Sequence, residues 1–321
     1  FLVMVFLTIT NQASAHVKWF VDSSKVMAES HDTSLIYSVT SLEVIMWSII
    51  TLLAVIVFGI FDKYIPAPRK LVEFGEKHEK GIVYAAQIIL GLYLITTGII
   101  WKIILIPEIP VNDTLTTILQ VIQVIIGLMY VIKISPRTAS IVLLGLCLYM
   151  MSVVGVIALV ENTILVSLAV YFFIRNSPSD SYWSRFDKYS TEIVRIGTAI
   201  SLIVFAFTEK LMYPELAMSF LSIHHWNFMQ PIFPWFTDRL FVLSTGFAEL
   251  IFGIVYILGY LTRINTALIT IFFATSVVTM ALQFQKWEVE DLVVYSAAII
   301  FIFYGHGKTK FFHAYSPGSW L

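Results

Sequence analysis

Residues 141–174 read IVLLGLCLYMMSVVGVIALVENTILVSLAVYFFI, and the number of membrane crossings assigned to this stretch orients every later element. As one helix it would run about 50 Å at ~1.5 Å per residue, too long for one crossing of a ~30 Å hydrocarbon core and slightly short for two. Glu161-Asn162 in its middle reads as a turn. Positive charge decides between the readings, because Lys and Arg near span ends gather on the cytoplasmic side. With two helices here and an external N-terminus, the inner loops receive Lys63, Arg69, Lys70, Lys77, Lys80, Lys133, Arg137, Arg175, Arg185, Lys188, Arg195, Arg263, Lys308 and Lys310. Only Lys18, Lys25, Arg239 and Lys286 then lie clearly outside. A single helix would place basic loops on both sides, so two helices are expected.

Outward from that stretch the apolar blocks place spans at 41–61, 82–105, 115–134, 140–158, 163–174, 193–212, 240–260, 267–282 and 292–304. The expected fold is therefore all-α and polytopic, with nine transmembrane helices in the plasma (inner) membrane and the lipid bilayer as its main partner. Composition agrees: 58% of residues are hydrophobic and 13% charged, where a soluble domain carries roughly 25% charge. Nucleic-acid motifs and long basic runs are absent, so a nucleic-acid partner is not expected. The one cysteine, Cys147, excludes an intramolecular disulfide or a multi-cysteine metal site within one chain.

Residues 1–15 read as a signal peptide, with a short apolar run over 2–10 and a small-x-small site at Ala13-Ser14-Ala15. Cleavage there makes His16 the first mature residue and leaves 16–40 as an external segment. The alternative is an uncleaved anchor, but about nine apolar residues cover only ~14 Å of helix. At the other end, 306–321 reads as a cytoplasmic tail.

An offset of about 126 residues pairs Gln123, Gly127, Tyr130 and Arg137 with Glu249, Gly253, Tyr256 and Arg263. Two related four-helix units follow, 81–175 and 191–305, preceded by one extra span. An even number of spans per unit makes this a parallel repeat, so inverted-repeat transporter symmetry is not implied.

The halves differ in polarity. Gln123 in the first stands where the second has Glu249, and the first lacks a pair matching Glu209-Lys210. Ionisable groups in hydrocarbon cost several kcal/mol unless paired or hydrated, so they face the bundle interior and often mark sites. Adjacent residues cannot share an α-helical face. The expected arrangement has Lys210 snorkelling outward while Glu209 and Glu249 face a common cavity and handle protons. A structural interhelical lock is the competing reading. The outer loop 214–238, with His224-His225-Trp226 and Phe228, Phe233, Trp235 and Phe236, reads as an interfacial aromatic belt or as a lid over that cavity. A further reading is a copper site: the α-amine and imidazole of His16, joined by His224 or His225, offer nitrogen donors suited to Cu(II).

Over 193–305 the chain resembles the DoxX-like family of four-helix membrane proteins, through Arg195-Ile196-Gly197, Phe207-Thr208-Glu209-Lys210, Pro214-Glu215-Leu216-Ala217, Phe241-Val242-Leu243-Ser244, Glu249-Leu250, Leu261-Thr262-Arg263 and Tyr304-Gly305. Ala15-His16-Val17-Lys18-Trp19-Phe20 is similar to the start of longer proteins carrying such a domain. Some relatives are subunits of quinone-linked oxidoreductases or of membrane complexes tied to oxidative stress. The resemblance thus implies a membrane subunit of a quinone-linked redox system with membrane or soluble redox partners, and with Glu209, Lys210 and Glu249 at the family's polar positions. The alternatives are a copper or small-substrate binding or transport protein on the outer face and a non-catalytic structural subunit. No haem or flavin pattern is visible, which leaves quinone, copper or a partner's cofactor as the electron carrier.

Overall fold

The Ser41 hydroxyl accepts from the Val44 amide at 3.3 Å and starts helix α1, Leu42–Tyr64. Its outward residues are almost all apolar, and Leu52 is 61% exposed within the protein, an arrangement that water would penalise and lipid would not. In the computed structural model, which describes residues 37–284, 289 and 291–307, the chain is helical apart from one short hairpin. The signal-peptide reading, His16 and most of the expected tail lie outside the described residues.

Among the described residues six helices are long and apolar enough to cross a membrane: Leu42–Tyr64, Glu79–Trp101, Thr114–Val131, Pro136–Val154, Tyr182–Leu211 and Asp238–Leu258. Thr163–Arg175 and Asp291–Tyr304 are shorter apolar helices, and Thr262–Phe284 lies between Asp238–Leu258 and Asp291–Tyr304. These surfaces are compatible with a surrounding bilayer.

In chain order α1 is followed by the amphipathic α2 (Arg69–Lys77), then α3 (Glu79–Thr96), whose last turn is a π turn, Thr97–Trp101. Lys102, at φ 52°, reverses the chain into a tight antiparallel hairpin, β1 (Ile103–Ile104) and β2 (Ile106–Pro110). The expected second span ran on to residue 105; instead Ile103, Ile104, Leu105, Ile106 and Ile109 fold back and are buried. Gln123 on α4 (Thr114–Val131) holds the hairpin. Its Oε1 accepts from the Leu105 amide at 2.9 Å, and its Nε2 donates to Thr97 Oγ1 at 2.9 Å and to the Leu94 and Ile103 carbonyls at 3.2 and 3.3 Å.

The decisive stretch forms two packed helices, α5 (Pro136–Val154) and α7 (Thr163–Arg175). Between them Gly155, at φ 113°, ends α5, a short α6 (Val156–Glu161) follows, and the Asn162 side chain caps back onto the Ala158 carbonyl at 2.9 Å. There are thus two breaks, where the sequence suggested one at Glu161-Asn162.

Beyond residue 189 the helical series continues. Helix α8 (Ser190–Phe205) ends in a π turn, Ala206–Leu211, and α9 (Glu215–His224) opens the long connection to α10 (Asp238–Leu258). Then come α11 (Thr262–Phe284) and α12 (Asp291–Tyr304). Tyr130 and Ser140 share a hydrogen bond of 2.9 Å, and Tyr256 and Thr266, at the repeat offset, share one of the same length. A Cβ on Gly91 would lie 2.6 Å from the Gly127 carbonyl oxygen, and one on Gly253 3.0 Å from that of Ala199. These close approaches seat α3 on α4 and α8 on α10. The halves join where α8 packs on α7 and α12 on α3, with Ser296 donating to the Ala86 carbonyl at 2.9 Å. Helix α1 docks on α10, with Trp47 stacked on Phe247 and Asp62 accepting from the Leu261 amide at 2.8 Å.

Candidate functional site

Glu209 and Lys210 belong to the π turn that closes α8. Its i→i+5 bonding packs more residues into each turn, so neighbours diverge by less than the about 100° of an α-helix. Gly246 admits α10 against this turn, since a Cβ there would meet Leu211 Cδ2 at 2.9 Å and Lys210 Cβ at 3.0 Å. Glu249, one turn further along α10, is thereby brought to Lys210.

Lys210 Nζ lies 3.0 Å from the Glu249 carboxylate and 3.2 Å from Glu209 Oε2. The expectation that Lys210 snorkels outward is therefore corrected: its stem folds inward and bridges both carboxylates. The pairing follows from burial, because Glu209 is fully buried and Glu249 nearly so, and two such carboxylates without a cation would be strongly penalised. Oε1 of Glu209 has no hydrogen-bond partner among the described residues. At the corresponding end of the first half stand Trp101 and Lys102, the latter exposed.

Beside the trio is a cavity of about 80 Å³. Glu108 and Pro107 of the hairpin, Asn162, Asp291 at the start of α12, and Thr198, Ser201, Leu202 and Phe205 of α8 line it together with Glu209 and Glu249. Both halves therefore build the cavity, and the half expected to act only as scaffold supplies Tyr93, Glu108, Asn162 and Ile164. Sequence reasoning missed Glu108, which lies just past the expected end of the second span at residue 105 and so reads as part of a connecting loop; the nearby Pro107 and Pro110 were the available signal. Asp291, at the start of α12, is almost wholly buried.

Among the described residues none of 214–238 lines the cavity, so the hairpin, and not the His224-His225 loop, walls it. That loop folds on its own small core of Ala217, Leu221, Phe236, Phe241 and Val242, and leaves Ile232, Phe233 and Trp235 exposed. Asn227 ties it down, donating to the Phe236 carbonyl at 2.8 Å and to Asp238 at 2.9 Å.

Of the expected copper ligands, His16 and the side chain of His224 lie outside the described residues, and His225 is an exposed helix-ending residue at φ 51°. Among the described residues no three His, Cys, Asp or Glu side chains converge to hold a metal. No protein-family model, curated protein or solved structure matches the chain.

Proposed function

We propose that the chain is a DoxX-like membrane protein of nine spans, built from two related four-helix units and an N-terminal span, that supplies protons within a quinone-linked membrane redox system. The observation that carries this reading is the Glu209–Lys210–Glu249 trio beside a small, mostly apolar cavity that Glu209, Glu249, Glu108 and Asp291 also line. Two carboxylates share one ammonium, so the trio is neutral only when it holds one proton. A buried group with that stoichiometry is suited to taking up and releasing protons, and reduction of a quinone to a quinol consumes them. At about 80 Å³ the cavity is far smaller than the ~300 Å³ at which organic ligand pockets begin. The quinone ring therefore belongs at a lipid-facing mouth or on a partner, while this chain moves protons. In the proposed orientation the hairpin, the trio and the 214–238 loop lie toward the outer face, with Arg175, Arg195 and Arg263 toward the cytoplasm.

The full pairing of Lys210 also favours a second reading, an interhelical lock with no chemistry. Infrared difference spectra of the protein in liposomes, taken as a short-chain ubiquinone is reduced electrochemically, separate the two. A protonated-carboxyl band should be lost on reduction, as the trio gives its proton toward the quinol, and that difference band should be absent in Glu249→Gln, with the thermal midpoint retained. No carboxyl signal in the wild-type protein would leave the lock as the function.

A further inference from the structure

Helix α8 meets the cavity at Thr198, Ser201, Leu202, Phe205 and Glu209. From Thr198 to Glu209 is about 16 Å at ~1.5 Å per residue. At about 80 Å³ over that length, this slot has room for several waters, each needing roughly 10–15 Å³, between walls that are mostly apolar. Glu108 and Asp291 are among its lining residues with Glu209 and Glu249, and Thr198, about three helical turns away from Glu209, is buried, with no hydrogen-bond partner for its hydroxyl among the described residues. An unpartnered hydroxyl in such a position is costly unless water reaches it.

Three residues further along the same face, Arg195 is fully buried. Its Nη1 donates to the Tyr256 carbonyl and, at 2.8 Å, to the Ile257 carbonyl at the end of α10. The guanidinium is thus fixed by the carbonyl end of a neighbouring helix, where a cation is favoured. Carboxylates at one end of the slot attract positive charge, and a fixed cation beyond the other end repels it.

We infer that this slot is a one-ended, water-filled access channel, which admits protons from the hairpin face to Glu209 and on to Thr198 and is closed toward the opposite face by Arg195. The inference rests on the proton-handling reading for its use, but access can be measured without any redox activity.

Silver ions, close to water in size and reactive with thiolates, are the probe. In a Cys147→Ser background, which removes the only native thiol, Thr198→Cys is compared with Ala199→Cys, its buried neighbour packed toward Gly253. Gln230→Cys, exposed in the long loop, and Ser179→Cys, exposed between the halves, report the two membrane faces. Sealed vesicles of either orientation are treated with silver nitrate, quenched, denatured and labelled with a maleimide. Thr198→Cys should lose labelling from the same side as Gln230→Cys, while Ala199→Cys keeps it. Labelling that persists at Thr198→Cys, or is lost only from the Ser179→Cys side, overturns the channel. Ser201→Cys, in the same slot, carries the test should Thr198→Cys fail to fold. Silver access to Thr198→Cys together with an unchanged redox spectrum in Glu249→Gln would uphold the channel and remove only its proposed use.

Discussion

Lys210 is the residue on which the site's stability turns. It is the bridging cation for two buried carboxylates, so Lys210→Met leaves both charges facing each other and should cost about 3–5 kcal/mol, the usual penalty for breaking a buried pair from one side. Chemical unfolding in detergent measures it, and a loss below about 1 kcal/mol would mean that the trio is hydrated well enough to do without its ammonium. Gln123 has the parallel role in the first half. Gln123→Leu strands the Leu105 amide and should destabilise by about 2–3 kcal/mol. Amide exchange over residues 103–110 should rise with it, whereas a hairpin held only by its apolar contacts would exchange unchanged. The polarity contrast between Gln123 and Glu249 was legible in the sequence. What each residue grips was not, because the hairpin and the π turn that supply the partners are produced by tertiary folding.

At the level of elements, helix positions followed from the apolar blocks, since a run of about 20 such residues has few alternatives in a bilayer. The errors fall where the chain is apolar but not helical. Ile103, Ile104 and Leu105 continue the composition of the preceding helix, and periodicity alone cannot separate a buried hairpin from the end of a span. Helix-on-helix contacts were legible only as the offset that pairs Gly127 with Gly253. Gly127→Leu would drive a side chain into the Gly91 carbonyl, the Ile95 side chain and Leu94, and should cost about 3 kcal/mol. Gly145→Leu meets open space and should be neutral. Equal thermal midpoints for the two variants would show that α3 and α4 can separate without loss.

For the whole molecule, the cavity lies between the halves, so neither half alone reproduces it. Cut in the connection between α7 and the Tyr182–Tyr189 helix, the two pieces should co-purify when expressed together. Affinity capture of one piece without the other would show that the α8–α7 and α12–α3 contacts do not suffice. The sequence suggested two units and assigned chemistry to one; the lining by Glu108 and Asn162 could not be read because it depends on how distant helices are set against each other.

Both halves close their leading helix with a π turn, Thr97–Trp101 in one and Ala206–Leu211 in the other. A π turn behaves as an α-helix carrying one surplus residue, so a single inserted codon accounts for each. If the halves descend from one gene, that insertion preceded the duplication, and later divergence needed only side-chain replacement: one copy holds Trp101 and an exposed Lys102, the other Glu209 and Lys210. Deleting Ala206 would remove the surplus residue and rotate Glu209 and Lys210 by about one α-helical step, out of reach of Glu249.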